Sequence, residues 1–348
     1  MRIGVLPEGF RERLILSSRR FPLPLFEVMG TMMVSRTIMA GVHFGVFDQL
    51  AARPQTAREL AVEIGCDEHG IELLLNALST CGYLQLEHNR YRNSPLAERW
   101  LRSDRPQTLA NFVRFNYDQW DWVSRMEHYI QHGEARDIHA NLDAPHWRNY
   151  MLGLRDVASL SAEEVARRVH LRVPRSLLDV GAGHCLYSIV MCRRHPSLRV
   201  TVVDLEPAAR IGQELVAQAG LANRFTFNIG HLAEAPFGEN HDVAFIFNVM
   251  HHLDEAINCA TLRRLHAALA PGGKLAVWET FREEREKQRR DQFGSLLALF
   301  FGVTSKRETL EFEQVASWAR AAGFARIEKK KLQSAPFAAL LVATKSNS

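Results

Sequence analysis

Asp179, Gly181, Gly183 and Asp204 are the residues of this chain whose types and spacing point most directly to chemistry. Apolar Leu177 and Leu178 lead into Asp179, and two glycines then turn the backbone toward a helix. An α/β sheet brings bare backbone close to a nucleotide-like ligand in this way. Arg199 to Val203 reads as the next strand and ends in Asp204, where a carboxylate can accept hydrogen bonds from two ribose hydroxyls. The ligand need not be a dinucleotide. Leu186 stands where a full Gly-x-Gly-x-x-Gly fingerprint has its last glycine, and Asp179 would repel a pyrophosphate. A ligand that joins a ribose to a cationic group suits two carboxylates better, and S-adenosylmethionine is such a ligand.

These residues need a sheet to hold them. From Ser176 onward, strands and helices alternate, as in a mostly parallel sheet covered by helices on both faces. Strands are expected near 176–180, 199–204, 224–229, 242–248, 273–280, 324–332 and 336–344, and helices near 185–195, 207–219, 254–269 and 309–322. Only a few residues around Ser334-Ala335-Pro336 join the last two strands, too few for a parallel crossover, so that pair is expected to be antiparallel. The result is an α/β doubly wound sheet with an antiparallel terminal hairpin. Three regions are expected: 1–100, 101–170 and 171–348. The middle one is helical and rich in large side chains such as Trp120, Trp122, Trp147 and Tyr150, which suit a core or a pocket for a flat apolar molecule. The charge run Glu283 to Asp291 reads as a solvated helix face, and Phe293, Leu296, Phe300 and Phe301 after it could cover a pocket.

The N-terminal region reads as mostly helical. Thr56 caps a short helix with Glu59 at the capping-box position, and Gly65 ends it. Asp67 starts a second helix with Ile71, Leu74, Leu75 and Leu78 on one face, closed by Gly82. Alternation from Leu84 to Arg92 around His88-Asn89 suits a hairpin, completing a winged helix. Residues 66–84 carry Asp67, Glu68 and Glu72 and no Lys or Arg, which argues against DNA binding. Leu25 to Val42 is apolar on more than one face; burial in an ordinary core and burial against a partner chain both account for it.

Composition narrows the class. The chain has 348 residues, 47% hydrophobic and 24% charged, with a net charge of +4, an ordinary balance that calls for no nucleic-acid partner. No apolar run is expected to reach bilayer length, and no signal peptide is expected. Five scattered cysteines give no disulfide framework and no Cys-x-x-Cys site, so a reducing cytoplasmic setting is expected. No metal is expected: His241 and His251 would sit at opposite ends of a strand, roughly 30 Å apart at ~3.3 Å per residue.

Over roughly residues 25 to 344 the chain resembles the small-molecule O-methyltransferases of the plant caffeate and bacterial polyketide type. The N-terminal resemblance lies in Phe47-Asp48-Gln49-Leu50, Thr56 to Leu60, and Leu75 to Tyr83 before Arg90-Tyr91. The C-terminal one lies in the Gly181/Gly183 loop, Asp204, Asn248 to Asp254, Pro271-Gly272-Gly273-Lys274 and Trp278-Glu279. It implies a class I methyltransferase fold behind a winged-helix dimerisation domain, a homodimer, a small-molecule hydroxyl acceptor, and no nucleic-acid or membrane partner.

Carried over residue by residue, the resemblance implies that Gly181 and Gly183 admit the methionine part of S-adenosylmethionine and that Asp204 holds its ribose. It implies that Phe247 contacts the cofactor, that His251 is the general base, and that Glu279 orients that base. Neutral imidazole can take the proton of a phenol, whose pKa of about 10 otherwise leaves it a poor nucleophile. A His-His pair that only caps or packs is the alternative for His251. Cys185 stands where the family has glycine, and Gly230-His231 where it has an adenine-binding acid; Glu234 lies close by. Lys306, with Glu308 nearby, stands where a second flanking acid is common. C- or N-methylation, a non-methylating reaction on the same fold, and a ligand-sensing regulator are the competing readings.

Overall fold

The computed structural model describes residues 4–18, 21–135, 138–139, 142–282, 292–305, 309–336 and 338–347. The charge run Glu283 to Asp291, Lys306 and Glu308 fall outside these. Packing divides the chain into two units, Met1–Asp118 and Gln119–Ser348.

In the first unit, helices α1 (Phe10–Ser17), α2 (Leu23–His43) and α3 (Val46–Ala52) precede the helix pair α4 (Ala57–Ile64) and α5 (Glu68–Thr80). The hairpin β1 (Leu84–Glu87) and β2 (Arg90–Asn93) follows, then α6 (Pro95–Trp100) and α7 (Ala110–Val123), which carries the chain into the second unit. The α4 capping box is complete: the Glu59 N–H donates to Thr56 Oγ1 at 3.2 Å, and the Thr56 N–H donates to Glu59 Oε2 at 2.8 Å. Asp67 caps α5 by accepting the Gly70 N–H at 2.7 Å. His88 and Asn89 both take positive φ, as a two-residue hairpin turn of right-handed twist requires. Phe47, Leu60, Leu75 and Leu78 form the centre of this unit's core.

Helix α2 departs from expectation. At 21 residues with a mean hydropathy of 1.2, it is the one described helix long and apolar enough to cross a membrane. Glu27 and Arg36 break the apolar run in the sequence without lowering its average far. Only Met39, Gly41 and Val42 of this helix are buried, while Phe26, Met29, Met32 and Met33 are exposed.

The second unit opens with α8 (Met126–His132), α9 (Ala144–Ser159) and α10 (Ala162–Val169). It continues through β3 (Ser176–Val180), α11 (Leu186–Arg194), β4 (Arg199–Asp204), α12 (Glu206–Gln218), β5 (Phe225–Ile229) and β6 (His241–Phe247). Then come α13 (Glu255–Ala268), β7 (Leu269–Glu279), α14 (Gln292–Thr304), α15 (Phe312–Ala321), β8 (Phe324–Lys331) and β9 (Ala339–Lys345). The seven strands lie in the order β5-β4-β3-β6-β7-β9-β8. The first five are parallel, and β9 runs antiparallel to both β7 and β8, as the short connection demanded. Strand β7 begins at Leu269, earlier than expected, because His241 pairs with Leu269 ahead of a register shift.

Alternation along the strands serves two apolar layers. Leu177 and Phe245 face one, with Val190 of α11; Leu178 and Ile246 face the other, with Leu262 of α13 and Val315 of α15. Strand order reverses between β3 and β6, so the crevice beyond the carboxyl ends of these strands is where such a sheet takes a ligand.

Candidate active site

The turn after β3 needs glycine where it is closest to its neighbours. Gly181 has φ +72, and a Cβ there would lie 2.4 Å from Val249 Cγ2. The Gly181 N–H donates to the Val203 carbonyl at 2.8 Å, tying this turn to β4. Gly183 also has positive φ, and a Cβ there would reach Met151 Sδ at 3.0 Å.

Cys185 takes the same left-handed conformation, φ +56, as the N-cap of α11. That backbone explains a family preference for glycine at this position. The Cys185 side chain is buried in the core, with Sγ 2.9 Å from the point where a Cβ on Gly212 would stand, so it fills space beside α12. His184, between Gly183 and Cys185, carried no signal in sequence. It is buried, accepts the Leu186 N–H on Nδ1 at 3.1 Å, and is pushed down to about 3 by burial and by Arg155, so its ring is neutral.

Two carboxylates flank this turn. Asp204 accepts the Gly183 N–H on Oδ2 and the Leu205 N–H on Oδ1, each at 2.7 Å, which fixes the carboxylate at the strand tip. Its carbonyl accepts the Gly230 N–H at 2.9 Å, joining the ends of β4 and β5. Burial nevertheless raises Asp204 to about 6. Asp179 has one partner, the Ser188 hydroxyl, and burial together with the Asp204 charge raises it to about 7. Neither acid has a cationic partner among the described residues. His231 is exposed just beyond β5, its Nδ1 accepting the Ala233 N–H at 3.3 Å. Phe247 is buried at the end of β6, stacked on Phe245 and edge-on to Tyr187.

The ends of β6 and β7 build a second cluster. Glu279, at the end of β7, is 2% exposed and fully occupied. Its Oε1 accepts the Val249 and Met250 N–H groups at 3.0 and 2.9 Å, and its Oε2 lies 2.8 Å from His251 Nδ1. A carboxylate on Nδ1 selects the tautomer with its proton there, leaving a lone pair on Nε2. His251 Nε2 makes no hydrogen bond among the described residues, and it is not among their sealed, unsatisfied polar atoms.

The turn bearing His251 is pinned from below by buried Asn258, whose Nδ2 donates to the Met250 and Leu253 carbonyls at 3.0 and 3.2 Å. Asp254 caps α13 by accepting the Ile257 N–H at 2.8 Å. Phe301 of α14 packs its ring 4.7 Å from that of His251. His252 packs at 4.0 Å on another side, and His139 meets His252 edge-on at 4.7 Å.

The residues read from the sequence therefore fall into two groups on one sheet edge. Gly183 and Gly230 donate their N–H groups to Asp204, Gly181 donates to the adjacent Val203, and Asp179 lies two residues before Gly181, while His251 and Glu279 are in direct contact. Val249 connects the groups, touching the space above Gly181 and donating to Glu279. His231 follows β5 at the edge of the sheet and Phe247 ends β6, with β4 and β3 between them. The first group fits S-adenosylmethionine on structural grounds: a turn with no room for a side chain at Gly181, a carboxylate fixed at the β4 tip, and two buried acids lacking cationic partners among the described residues.

The O-methyltransferase domain family matches residues 108–325, and the O-methyltransferase dimerisation domain matches residues 26–103, including most of exposed α2. A 3-hydroxy-5-methyl-1-naphthoate 3-O-methyltransferase of Streptomyces sahachiroi is 25% identical over 324 residues, covering 90% of this chain and 92% of the relative. An N,N-dimethyltransferase of Streptomyces rimosus is 28% identical over 256 residues, covering 70% of this chain and 74% of the relative. Human N-acetylserotonin methyltransferase in complex with SAM shares the fold, with a TM-score of 0.82 and 20% identity over 98% of this chain and 99% of that one. The chain belongs to the O-methyltransferase family: it is an S-adenosylmethionine-dependent methyltransferase with an N-terminal dimerisation domain.

Proposed function

We propose that this enzyme methylates a hydroxyl of an aromatic or polyketide-like small molecule, with His251 as general base. The observation that carries this reading is the His251–Glu279 pair: a buried imidazole tied on Nδ1 and unpartnered on Nε2. Bound S-adenosylmethionine supplies an electrophilic methyl group. The protein's task is then to align the acceptor and remove its proton. His251 Nε2 takes the hydroxyl proton, and the Glu279 carboxylate stabilises the imidazolium that results. The two backbone N–H groups on Oε1 keep that carboxylate in place through the cycle.

Asp204 is assigned the ribose hydroxyls, and Asp179 the cationic methionine end. Gly181 and Gly183 admit the backbone-hugging part of the cofactor. Gly230 and His231 are assigned to its adenine side, and Phe247 to contact with the cofactor. Cys185, turned into the core beside α12, leaves ordinary cofactor use open. The domain match and the exposed apolar face of α2 support a homodimer. Five free cysteines suit a reducing cytoplasm.

The direct test incubates the enzyme with methyl-labelled S-adenosylmethionine and a panel of phenols, enols and amines, reading one-methyl mass gains. Label on phenols or enols supports the proposal; label on amines alone favours nitrogen transfer, the reading suggested by the S. rimosus relative.

A further inference from the structure

His251 and His252 are adjacent in sequence, and their rings are 4.0 Å apart at a tilt of 47°. They are built alike. Each has Nδ1 engaged by a side chain, Glu279 for His251 and the Ser305 hydroxyl at 3.1 Å for His252. Neither Nε2 has a hydrogen-bond partner among the described residues, and neither is a sealed polar atom there.

The two Nδ1 partners differ in one respect that decides the chemistry. A carboxylate can only accept, so His251 carries its proton on Nδ1 and offers a lone pair on Nε2. Ser305 is 3% exposed, and among the described residues its Oγ hydrogen-bonds to His252 alone. If that hydroxyl accepted from Nδ1, its own proton would be buried without a partner, which costs free energy. Donation to Nδ1 pairs the buried hydroxyl and places the His252 proton on Nε2, the ring nitrogen left for a ligand. His252 is also held neutral: burial, with His251 and His139 beside it, pushes it well below the usual histidine range. One ring of the pair thus accepts a hydrogen bond at Nε2, and its neighbour donates one.

We infer that His252, with its tautomer set by Ser305, selects acceptors carrying a second oxygen next to the methylated hydroxyl, such as an ortho or peri carbonyl. This inference rests on His251 being the base. In such an acceptor the hydroxyl is hydrogen-bonded to its own carbonyl, which opposes loss of its proton. Donation from His252 Nε2 to the carbonyl oxygen replaces that internal bond while His251 Nε2 receives the proton. An acceptor with no neighbouring oxygen would leave the His252 N–H unpaired, the kind of mismatch on which polar sites discriminate.

The test compares ortho- and para-hydroxyacetophenone, isomers in which only the first has the internal hydrogen bond. Cofactor binding by calorimetry reports folding of each variant. The wild type should prefer the ortho isomer by about tenfold or more in kcat/KM, against intrinsic reactivity. His252→Phe, which keeps a ring but loses the donor, should erase that preference, chiefly by raising KM for the ortho isomer. His252→Gln should restore part of it, and Ser305→Ala should lower it a few-fold. If His252→Phe does not fold, the Ser305→Ala result decides. A wild type without ortho preference, or variants that lower both isomers equally, would overturn the inference. Methylation only of phenols lacking a second oxygen would overturn it while leaving His251 as base. Methylation of no hydroxyl at all would overturn the proposed function beneath it.

Discussion

Glu279 and Asp179 are both buried carboxylates at the carboxyl edge of one sheet, and the protein treats them in opposite ways. Glu279 is saturated by two backbone N–H groups and the His251 ring. Asp179 has one hydroxyl partner, sits near a second acid, and is raised to about 7. The base end is complete in the protein alone, as preorganised catalysis requires. On the proposed assignment, the Asp179 end is electrostatically incomplete and would be finished by a ligand that brings donors and positive charge. On the proposed assignment, one end of the crevice serves orientation and the other binding.

The sharpest way to break this contrast is at the base. His251→Gln should lower the methyl-transfer rate by on the order of 10²- to 10⁴-fold with cofactor affinity nearly unchanged. Steady-state rates and calorimetry on the same preparation check both halves, and a matching loss of cofactor affinity would erase the division of labour. Glu279→Gln should behave as a milder form, since the ring keeps a neighbour but loses the charge that stabilises imidazolium.

At the other end, Asp204→Ala should weaken S-adenosylmethionine binding by roughly 1–3 kcal/mol through lost charged hydrogen bonds. Calorimetry reads this directly; unchanged affinity would remove Asp204 from the site.

The third expectation concerns protons. Asp179 and Asp204 are raised in the folded, ligand-free protein, to about 7 and about 6. Stability from a raised acid is fully present below the ordinary carboxylate range of about 4 and is lost as pH rises through the folded value. These two groups should therefore destabilise the ligand-free protein progressively from about pH 4 to about pH 7. A cationic ligand favours their ionised forms, so S-adenosylmethionine binding should release protons near pH 6 and almost none at pH 8. Calorimetry in buffers of different ionisation enthalpy measures that release. Asp179→Asn should raise the ligand-free melting temperature at pH 8 by a few degrees while weakening the cofactor; a lower melting temperature would show that the charge is not a burden.

The smallest effect belongs to Cys185. Cys185→Gly relieves a left-handed backbone but empties a packed site beside Gly212, so stability should change by about 1 kcal/mol or less and turnover hardly at all. A large gain in cofactor affinity would mean that the thiol does crowd the crevice.

Much of this was legible in the sequence because it rests on local rules. The Thr56–Glu59 box, the His88-Asn89 turn and the β3–β4 alternation each follow from neighbours along the chain. The Asp179 to Gly183 turn was legible for the same reason: glycines in a fixed relation to a strand. The residues that sequence reasoning missed act across the fold. Asn258 pins the His251 turn from the next helix, Ser305 reaches His252 from just past the end of α14, and His184 looks like any loop histidine until burial neutralises it. The early start of β7 depends on a register shift against β6, and no local pattern in Leu269 to Gly273 announces it.

The central claim is that His251 Nε2 removes the acceptor's proton. The most direct measurement is the ratio of wild-type to His251→Gln methyl-transfer rates over a series of phenols graded in acidity, at one pH. The account predicts a ratio on the order of 10²–10⁴ for phenols with pKa near about 10, falling toward unity for those already ionised at the assay pH. A ratio that stays constant across the series would contradict it and make His251 a residue that shapes the pocket rather than one that moves the proton.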